Sequence, residues 1–216
     1  MKLRLFLDTA DPAAWSRWLP TGLFHGVTTN PTLLKQAGHP CDLASLRMLS
    51  HRALAHGVQE LHLQAWGSDL LSCGRALADL APGRIWIKLP ITRAGVDAAR
   101  DLLADGLPVT FTACYEPAQV LPAVALGADY IAPYLGRIND LGRDGHAELV
   151  AMHHCVRHLA SPLRLLVASL RSPADLARLA AEGLDTFTIS PAVAEALFAV
   201  EATEAAAARF ELDAAG

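Results

Sequence analysis

Short apolar segments alternate with longer segments rich in alanine and leucine along the whole chain of 216 residues. The short segments have the length of β-strands and the long ones that of helices, a pattern typical of βα units and a parallel sheet. Eight strands are predicted, at Leu3–Thr9, His25–Asn30, Glu60–Trp66, Ile85–Leu89, Val109–Cys114, Tyr130–Tyr134, Leu165–Leu170 and Thr186–Ser190. Their starts are about 26 residues apart on average. This regular spacing predicts a single-domain (β/α)8 TIM barrel over residues 1–216.

Proline marks the start of several predicted helices. It follows a residue able to cap a helix at Asp11-Pro12, Asn30-Pro31, Ser172-Pro173 and Ser190-Pro191, where its fixed φ angle suits the first helical position. Each pair comes just after a predicted strand. The last helix, at about 191–213, is long for covering one strand, so we expect part of it to pack on a neighbouring subunit.

Composition excludes several classes of protein. Lys and Arg number 18 against 22 Asp and Glu, giving a net charge of −4 without a basic block, so neither nucleic acid nor a membrane surface is an expected partner. No apolar run reaches transmembrane length, and Met1 to Leu7 is too short for a signal peptide. The four cysteines lack paired-ligand spacing, which predicts neither disulfides nor a cysteine zinc site and favours a reducing, cytoplasmic location.

Polar residues collect at the carboxyl ends of the predicted strands, where TIM barrels carry their active sites. They are Asp8, Thr28, Asn30, Gln64, Lys88, Thr110, Thr112, Tyr134, Arg137, Ser169, Arg171 and Ser190. Amphipathic surface strands would scatter such groups along their length. Their collection at one end predicts a polar site at the mouth of the barrel.

Lys88 is a lone cation inside a strand that should be buried on both faces. Burial lowers the pKa of a lysine and provides the neutral amine that attacks a carbonyl to form a Schiff base. A buried ion pair is the alternative.

Asp8 ends the first strand, where it can exchange a proton or cap the first helix, although Asp11 is better placed for the cap. Asn30 can cap a helix, bind a substrate hydroxyl, or do both.

The whole chain resembles the small transaldolase and fructose-6-phosphate aldolase family of class I Schiff-base barrels. The matching segments are Phe6–Thr9, Gly26–Pro31, Ile87–Thr92, Gly106–Pro108, Thr112–Ala113, Ala132–Ile138 and Ala168–Ser169, with Arg171 and Pro173. The resemblance implies Lys88 as the Schiff-base lysine and Asp8 as the acid/base group at the cleaved carbon–carbon bond. It also implies chemistry without a cofactor and a homo-oligomer, a pentamer or a pair of pentamers.

The resemblance is closest to the aldolase branch at two positions. Transaldolases typically carry Glu where this chain has Gln64 and Phe where it has Tyr134. With Thr112, these side chains are expected to hold a catalytic water between Lys88 and Asp8. The implied reaction is reversible cleavage of fructose 6-phosphate to dihydroxyacetone and glyceraldehyde 3-phosphate. Transfer of the dihydroxyacetone unit between sugar phosphates is the alternative, and a non-catalytic sugar-phosphate-binding barrel is the rival from another class.

The expected substrates are sugar phosphates and small aldehydes or ketones. Arg137, Ser169 and Arg171 resemble the family's phosphate-binding positions, since two guanidiniums can grip a phosphate. Thr28, Asn30 and Thr110 are expected to bind the rest of the substrate, although Thr110 is unusual for either branch.

Two further features depart from a simple barrel site. Trp86 shares the parity of Lys88 and should point into the barrel beneath it, as an unusually large side chain for that layer. His153, His154 and His158 share one predicted helix and could bind a metal, but without a carboxylate motif we interpret them as a solvated face and predict no metal site.

Overall fold

The computed structural model describes residues 2–216. Its eight strands are β1 (Arg4–Asp8), β2 (Gly26–Thr28), β3 (Glu60–Gln64), β4 (Ile85–Pro90), β5 (Val109–Cys114), β6 (Tyr130–Pro133), β7 (Arg164–Leu165) and β8 (Thr186–Ile189). The helices are α1 (Pro12–Trp18), α2 (Pro31–Gln36), α3 (Leu43–Ala55), α4 (Leu70–Ala78), α5 (Arg93–Ala104), α6 (Val120–Leu126), α7 (Leu135–Asp140), α8 (Gly145–His158), α9 (Pro173–Ala181), α10 (Pro191–Ala196) and α11 (Glu201–Ala214). Short 3-10 turns follow α1 and precede α6.

All strands are parallel, and from β1 to β7 each strand pairs with the next one in sequence. β1 also pairs with β8, from Arg4 opposite Thr186 to Leu7 opposite Ile189. A single bridge between Val167 and Phe187 joins the two ends of the sheet. The ring of strands therefore closes, which confirms the predicted (β/α)8 barrel.

The seventh strand is much shorter than predicted. Regular pairing ends at Leu165, and the expected continuation to Leu170 makes only isolated bridges, at Val167 and Ala168. The backbone of Ser169 then takes a φ of 58°, a left-handed conformation outside the range of regular strand pairing. After this residue the chain leaves the sheet and enters α9 at Pro173.

Side-chain alternation along the strands produces two apolar layers. Outward residues such as Leu7, Val27 and Ile87 are fully buried between the sheet and the helices. Inward residues form a smaller cluster inside the barrel, which includes Phe6 and Tyr130. Strands buried on both faces are expected in a parallel sheet covered by helices.

The proline-marked helix starts are confirmed by their caps. Asp11 accepts the amide of Ala13 at 2.9 Å, and Asn30 accepts that of Leu33 at 3.0 Å. The side chains of Ser172 and Ser190 cap α9 and α10 in the same way. Because Asp11 caps α1, Asp8 is left to face the barrel.

The predicted C-terminal helix is two helices. α10 ends at Ala196, and α11 starts only at Glu201 after an extended residue, Val200. The ring of Phe198 stacks on Trp18 at 6.1 Å within this break, which anchors the chain before it turns. α11 has no buried residue.

Candidate active site

A cavity opens at the carboxyl ends of the strands. It is lined by Asp8, Thr28, Asn30, Lys88, Thr112, Ala132, Tyr134, Arg137, Leu166, Ala168, Ser169 and Thr188. Eight of these were predicted as site residues, and those eight come from six different βα units. The fold therefore brings together side chains that are up to 161 positions apart, Asp8 and Ser169.

Lys88 lines this cavity and is buried, with 5% of the residue exposed. Its Nζ donates a hydrogen bond to the backbone oxygen of Thr29 at 2.8 Å. Burial lowers the pKa of Lys88, and the negative charge of Asp8 opposes that shift only in part. No side-chain carboxylate within residues 2–216 forms an ion pair with Nζ at 4 Å or less. A close buried ion pair, the alternative interpretation of Lys88, is therefore absent from this part of the chain.

Asp8 is held in place by a pair of threonines. Thr28 Oγ1 lies 2.6 Å from Asp8 Oδ1, to which it donates, and 2.6 Å from the hydroxyl of Thr188. Both threonines are buried. This arrangement fixes one carboxylate oxygen and leaves the other able to exchange a proton with a molecule in the cavity.

Thr112 and Tyr134 form a hydroxyl pair on the opposite wall, with their oxygens 2.7 Å apart. Burial raises the pKa of Tyr134, so its hydroxyl stays protonated at neutral pH. Next to Thr112, Ala113 has a φ of 56°, and the β5–β6 register shifts between Phe111 and Cys114. Such a bulge redirects a side chain at a strand end.

Arg137 and Ser169 form the outer end of the cavity. The Arg137 guanidinium lies 4.7 Å from the Tyr134 ring centroid and donates to the hydroxyl of Tyr115 at 3.4 Å. The carbonyl of Ser169 accepts the amide of Gly136 at 2.9 Å. A Cβ on Gly136 would lie only 2.5 Å from that carbonyl oxygen, so a glycine is required for this close approach.

Arg171 does not line the cavity, contrary to expectation. Its guanidinium forms a two-pronged ion pair with both carboxylate oxygens of Asp140, the first at 2.8 Å. Both side chains are more than half exposed. An exposed pair of this kind contributes about 0–1 kcal/mol, so little free energy opposes a rotation of Arg171 toward an anion beside Ser169.

Gln64 and Thr110 also lie outside the cavity lining. Gln64 is the register partner of Lys88 on β3, is partly buried, and makes no side-chain hydrogen bond within the described residues 2–216. Thr110, the partner of Lys88 on β5, is fully buried and bonds to the ring of His62. Thr110 therefore contacts the interior of the barrel rather than a ligand above it.

Sequence reasoning missed a polar cluster beneath Lys88. Glu60 and His62 point into the barrel from β3, together with Arg4 and Tyr130 from other strands. The signal was the alternation of polar and apolar residues through Glu60–Gln64, which is unusual in a strand covered on both faces. Trp86 also points inward, as predicted, and stacks on His62.

No group of three or more His, Cys, Asp or Glu side chains within residues 2–216 is placed to hold a metal ion. In the same part of the chain, no helix has the length and apolar character needed to cross a membrane.

Comparisons with known proteins agree with this geometry. Residues 67–215 match the family model described as "Transaldolase/Fructose-6-phosphate aldolase". A protein named "Probable transaldolase" from Phenylobacterium zucineum (strain HLK1) is 35% identical over 98% of this chain and 96% of its own length. Another of the same name, from Anaeromyxobacter dehalogenans (strain 2CP-C), is 32% identical over 98% of this chain and 96% of its own.

A solved structure supports the fold independently. The chain described as "Native KDPGal structure" superimposes with a TM-score of 0.62, covering 88% of this chain and 83% of that one. Only 15% of residues are identical, so the likeness concerns the fold alone.

Proposed function

This chain belongs to the transaldolase/fructose-6-phosphate aldolase family, as an enzyme of aldolase or transaldolase type, and we propose that it works through a Schiff base on Lys88. The observation that carries the proposal is a buried amine without a close counter-ion, facing the same cavity as Asp8. A nucleophile and an acid/base group facing one cavity are the two parts that aldol cleavage requires.

The proposed reaction begins when the neutral Lys88 amine attacks the ketone carbonyl of a sugar. The resulting carbinolamine loses water and becomes an iminium. Asp8 then removes the proton of the hydroxyl beyond the carbon–carbon bond, which breaks to release an aldehyde. The electron pair of the broken carbon–carbon bond moves toward the iminium, which becomes an enamine on Lys88. Protonation of that enamine at carbon, followed by hydrolysis, releases dihydroxyacetone and regenerates the amine.

The experiment that tests the proposal is reductive trapping. The protein is incubated with dihydroxyacetone or fructose 6-phosphate, reduced with borohydride, and mapped by peptide mass spectrometry. A three-carbon adduct on Lys88 is the expected result. An adduct on Lys2 or Lys35, the other two lysines of the chain, would contradict the assignment. The rival function, a non-catalytic sugar-phosphate-binding barrel, requires that ligand binds while borohydride adds nothing.

We further propose cleavage of fructose 6-phosphate as the reaction, because the Tyr134 hydroxyl can protonate the enamine. This hydroxyl is directed into the cavity by Thr112 and stays protonated at neutral pH. Gln64 would help position the water that carries the proton. Transfer of the three-carbon unit to an acceptor aldehyde is the second candidate, and the names of the relatives favour it.

Tyr134→Phe tests which group decides between release and transfer. Without the hydroxyl, the enamine on Lys88 should be protonated more slowly and survive until an acceptor arrives. We expect the ratio of sedoheptulose 7-phosphate formed with erythrose 4-phosphate to dihydroxyacetone released to rise about tenfold, equivalent to about 1.4 kcal/mol. Tyr115→Phe, which changes a neighbouring hydroxyl outside the cavity lining, is the control. Wild-type turnover that occurs only with an acceptor would refute the aldolase proposal.

Arg137, Ser169 and Arg171 are proposed to bind the substrate phosphate, with Thr28 and Asn30 binding its hydroxyl groups. Asp140→Asn should strengthen phosphate binding, because it removes the charge that holds Arg171 away. We expect KM for fructose 6-phosphate to fall a few-fold and KM for an unphosphorylated ketose to stay unchanged. Asp144→Asn, which alters the cap of α8 instead, is the matched control. Equal effects on both substrates would argue against this role of Arg171.

We propose that the exposed α11 packs on another subunit in a homo-oligomer. Phe210 and Leu212 are 70% and 69% exposed on this helix, and burial of such side chains stabilises assemblies. A pentamer or decamer is expected by light scattering, and a monomer would contradict it. A reducing, cytoplasmic location is also proposed, in keeping with the four free cysteines.

A further inference from the structure

We propose that Glu60, His62 and Thr110 form a positioning chain that holds a neutral imidazole beneath Lys88 and excludes water from the floor of the cavity. The chain acts through Lys88, so the inference rests on the proposed Schiff-base function. None of its three members lines the cavity.

Glu60 is the fixed end of the chain. One carboxylate oxygen lies 2.8 Å from an Arg4 nitrogen and 2.8 Å from His25 Nε2. The other accepts the hydroxyl of Tyr130 at 2.7 Å and lies 3.2 Å from His62 Nε2. Burial alone would raise the pKa of Glu60, but the hydrogen bonds from His62, His25 and Tyr130 lower it to about 2. Glu60 is therefore ionised and can only accept hydrogen bonds.

An ionised Glu60 determines the tautomer of His62. Burial lowers the pKa of His62 to about 4 despite the nearby carboxylate, so the ring is neutral at physiological pH. Its single proton must be on Nε2, because that nitrogen faces Glu60. Nδ1 is then an acceptor, and the Thr110 hydroxyl donates to it at 2.9 Å.

These hydrogen bonds connect Glu60 through His62 to Thr110, which lies on the strand next to that of Lys88. Thr110 is the register partner of Lys88 on the adjacent strand. Since its proton is used by His62, the Thr110 oxygen offers only lone pairs to its surroundings. The chain therefore runs from the anchored carboxylate to the strand beside Lys88 with every buried polar atom bonded.

The imidazole is also held by ring contacts. Trp86, the inward residue before Lys88, lies nearly parallel to His62 with ring centroids 5.8 Å apart. Phe6 and Tyr130 meet the same ring edge-on, at 4.9 and 5.1 Å. His62 is 0% exposed. A ring enclosed in this way excludes water from below the lysine.

The charge of this floor affects the reaction because the iminium on Lys88 is a cation. The charged and titratable groups around Lys88 are Asp8, Tyr134 and Arg137, which line the same cavity, and His62 beneath it. Asp8 favours a cation on Lys88, whereas a protonated His62 would oppose it. A hydrated floor would solvate the ammonium form and raise the pKa of Lys88, leaving less free amine at neutral pH.

The test compares how the rate of reductive trapping by dihydroxyacetone depends on pH. In Thr110→Val the Nδ1 acceptor is left unpaired in the interior, which favours entry of water beside the ring. We expect the pH midpoint of trapping to move up by half a unit or more, so that the rate at pH 7 falls about threefold or more. KM for fructose 6-phosphate should stay close to the wild-type value.

Two variants separate this role from a general loss of stability. Thr110→Ser keeps the hydroxyl and should restore the wild-type midpoint. Thr186→Val removes another buried hydroxyl of the barrel, one bonded to Arg164 instead, and should leave the midpoint unchanged. An unchanged midpoint in Thr110→Val, no rescue by serine, or an equal shift in Thr186→Val would each overturn the proposal.

A measurement on the wild-type protein decides the matter if Thr110→Val does not fold. Nitrogen-15 NMR of labelled histidine should show His62 neutral and protonated on Nε2 from about pH 6 to about pH 8. A proton on Nδ1, or titration in that range, would overturn the proposal. Absence of trapping in the wild-type protein would instead count against the Schiff-base function, while the tautomer would still be read from these spectra.

Discussion

Lys88→Met is expected to abolish both reductive labelling and aldol cleavage. Methionine has a similar length and fills the buried space, so the barrel should keep its fold. The nucleophile is lost, however, and the chain has only two other lysines, Lys2 and Lys35, neither of which lines the cavity. The measurement is adduct mass together with dihydroxyacetone release, with circular dichroism as the check on folding.

Lys35→Met is the matched control for this experiment, since Lys35 is exposed on α2. It should label and turn over like the wild-type protein. Cleavage that persists in Lys88→Met at more than background would show that the reaction does not proceed through this amine.

Asp8→Asn is expected to slow cleavage by about 10²–10⁴-fold, the range typical of a lost acid/base group. Asparagine has the shape of aspartate and its amide oxygen can still accept from Thr28, but it cannot take a proton from the sugar hydroxyl. Trapping of dihydroxyacetone on Lys88 should persist, because Schiff-base formation precedes the step assigned to Asp8. A fall in kcat with retained trapping is therefore the diagnostic result.

Asp11→Asn provides the comparison for Asp8→Asn. Asp11 caps α1 just beyond the same strand, and asparagine is an equally good cap. Its turnover should stay close to wild type. Cleavage in Asp8→Asn at the wild-type rate would mean that another group carries the proton.

Much of the fold could be predicted because its signals are local. Apolar segments of strand length at regular spacing specify eight βα units, and Asp11, Asn30, Ser172 and Ser190 cap the helices that directly follow them. The strand ends of a parallel barrel necessarily meet at one face. For this reason the sequence alone predicts that Lys88 and Asp8 face one cavity.

The remaining features depend on partners that are distant in the sequence. Arg171 is held by Asp140, 31 positions away, and Thr110 bonds to His62, 48 positions away. Strand periodicity predicts whether a polar side chain points inward or is exposed. It does not identify the distant residue with which that side chain forms a hydrogen bond or an ion pair. The apolar segment that predicted β7 to Leu170 carries no local signal that regular pairing ends at Leu165 or that Ser169 takes a left-handed φ.

Because β7 is short, the ring of strands opens more easily at β7 than elsewhere. β7 has two register pairs with β6, and its side toward β8 has one bridge, through Val167. Segments with few such bonds open locally before the rest of a protein. Amide hydrogen exchange should therefore be faster at Val167 and Thr188 than in β4. Arg137 follows β6 and Ser169 follows β7, so a phosphate bound between them would link the two loops and slow this exchange. Substrate binding would then stabilise the barrel at its least stable strand.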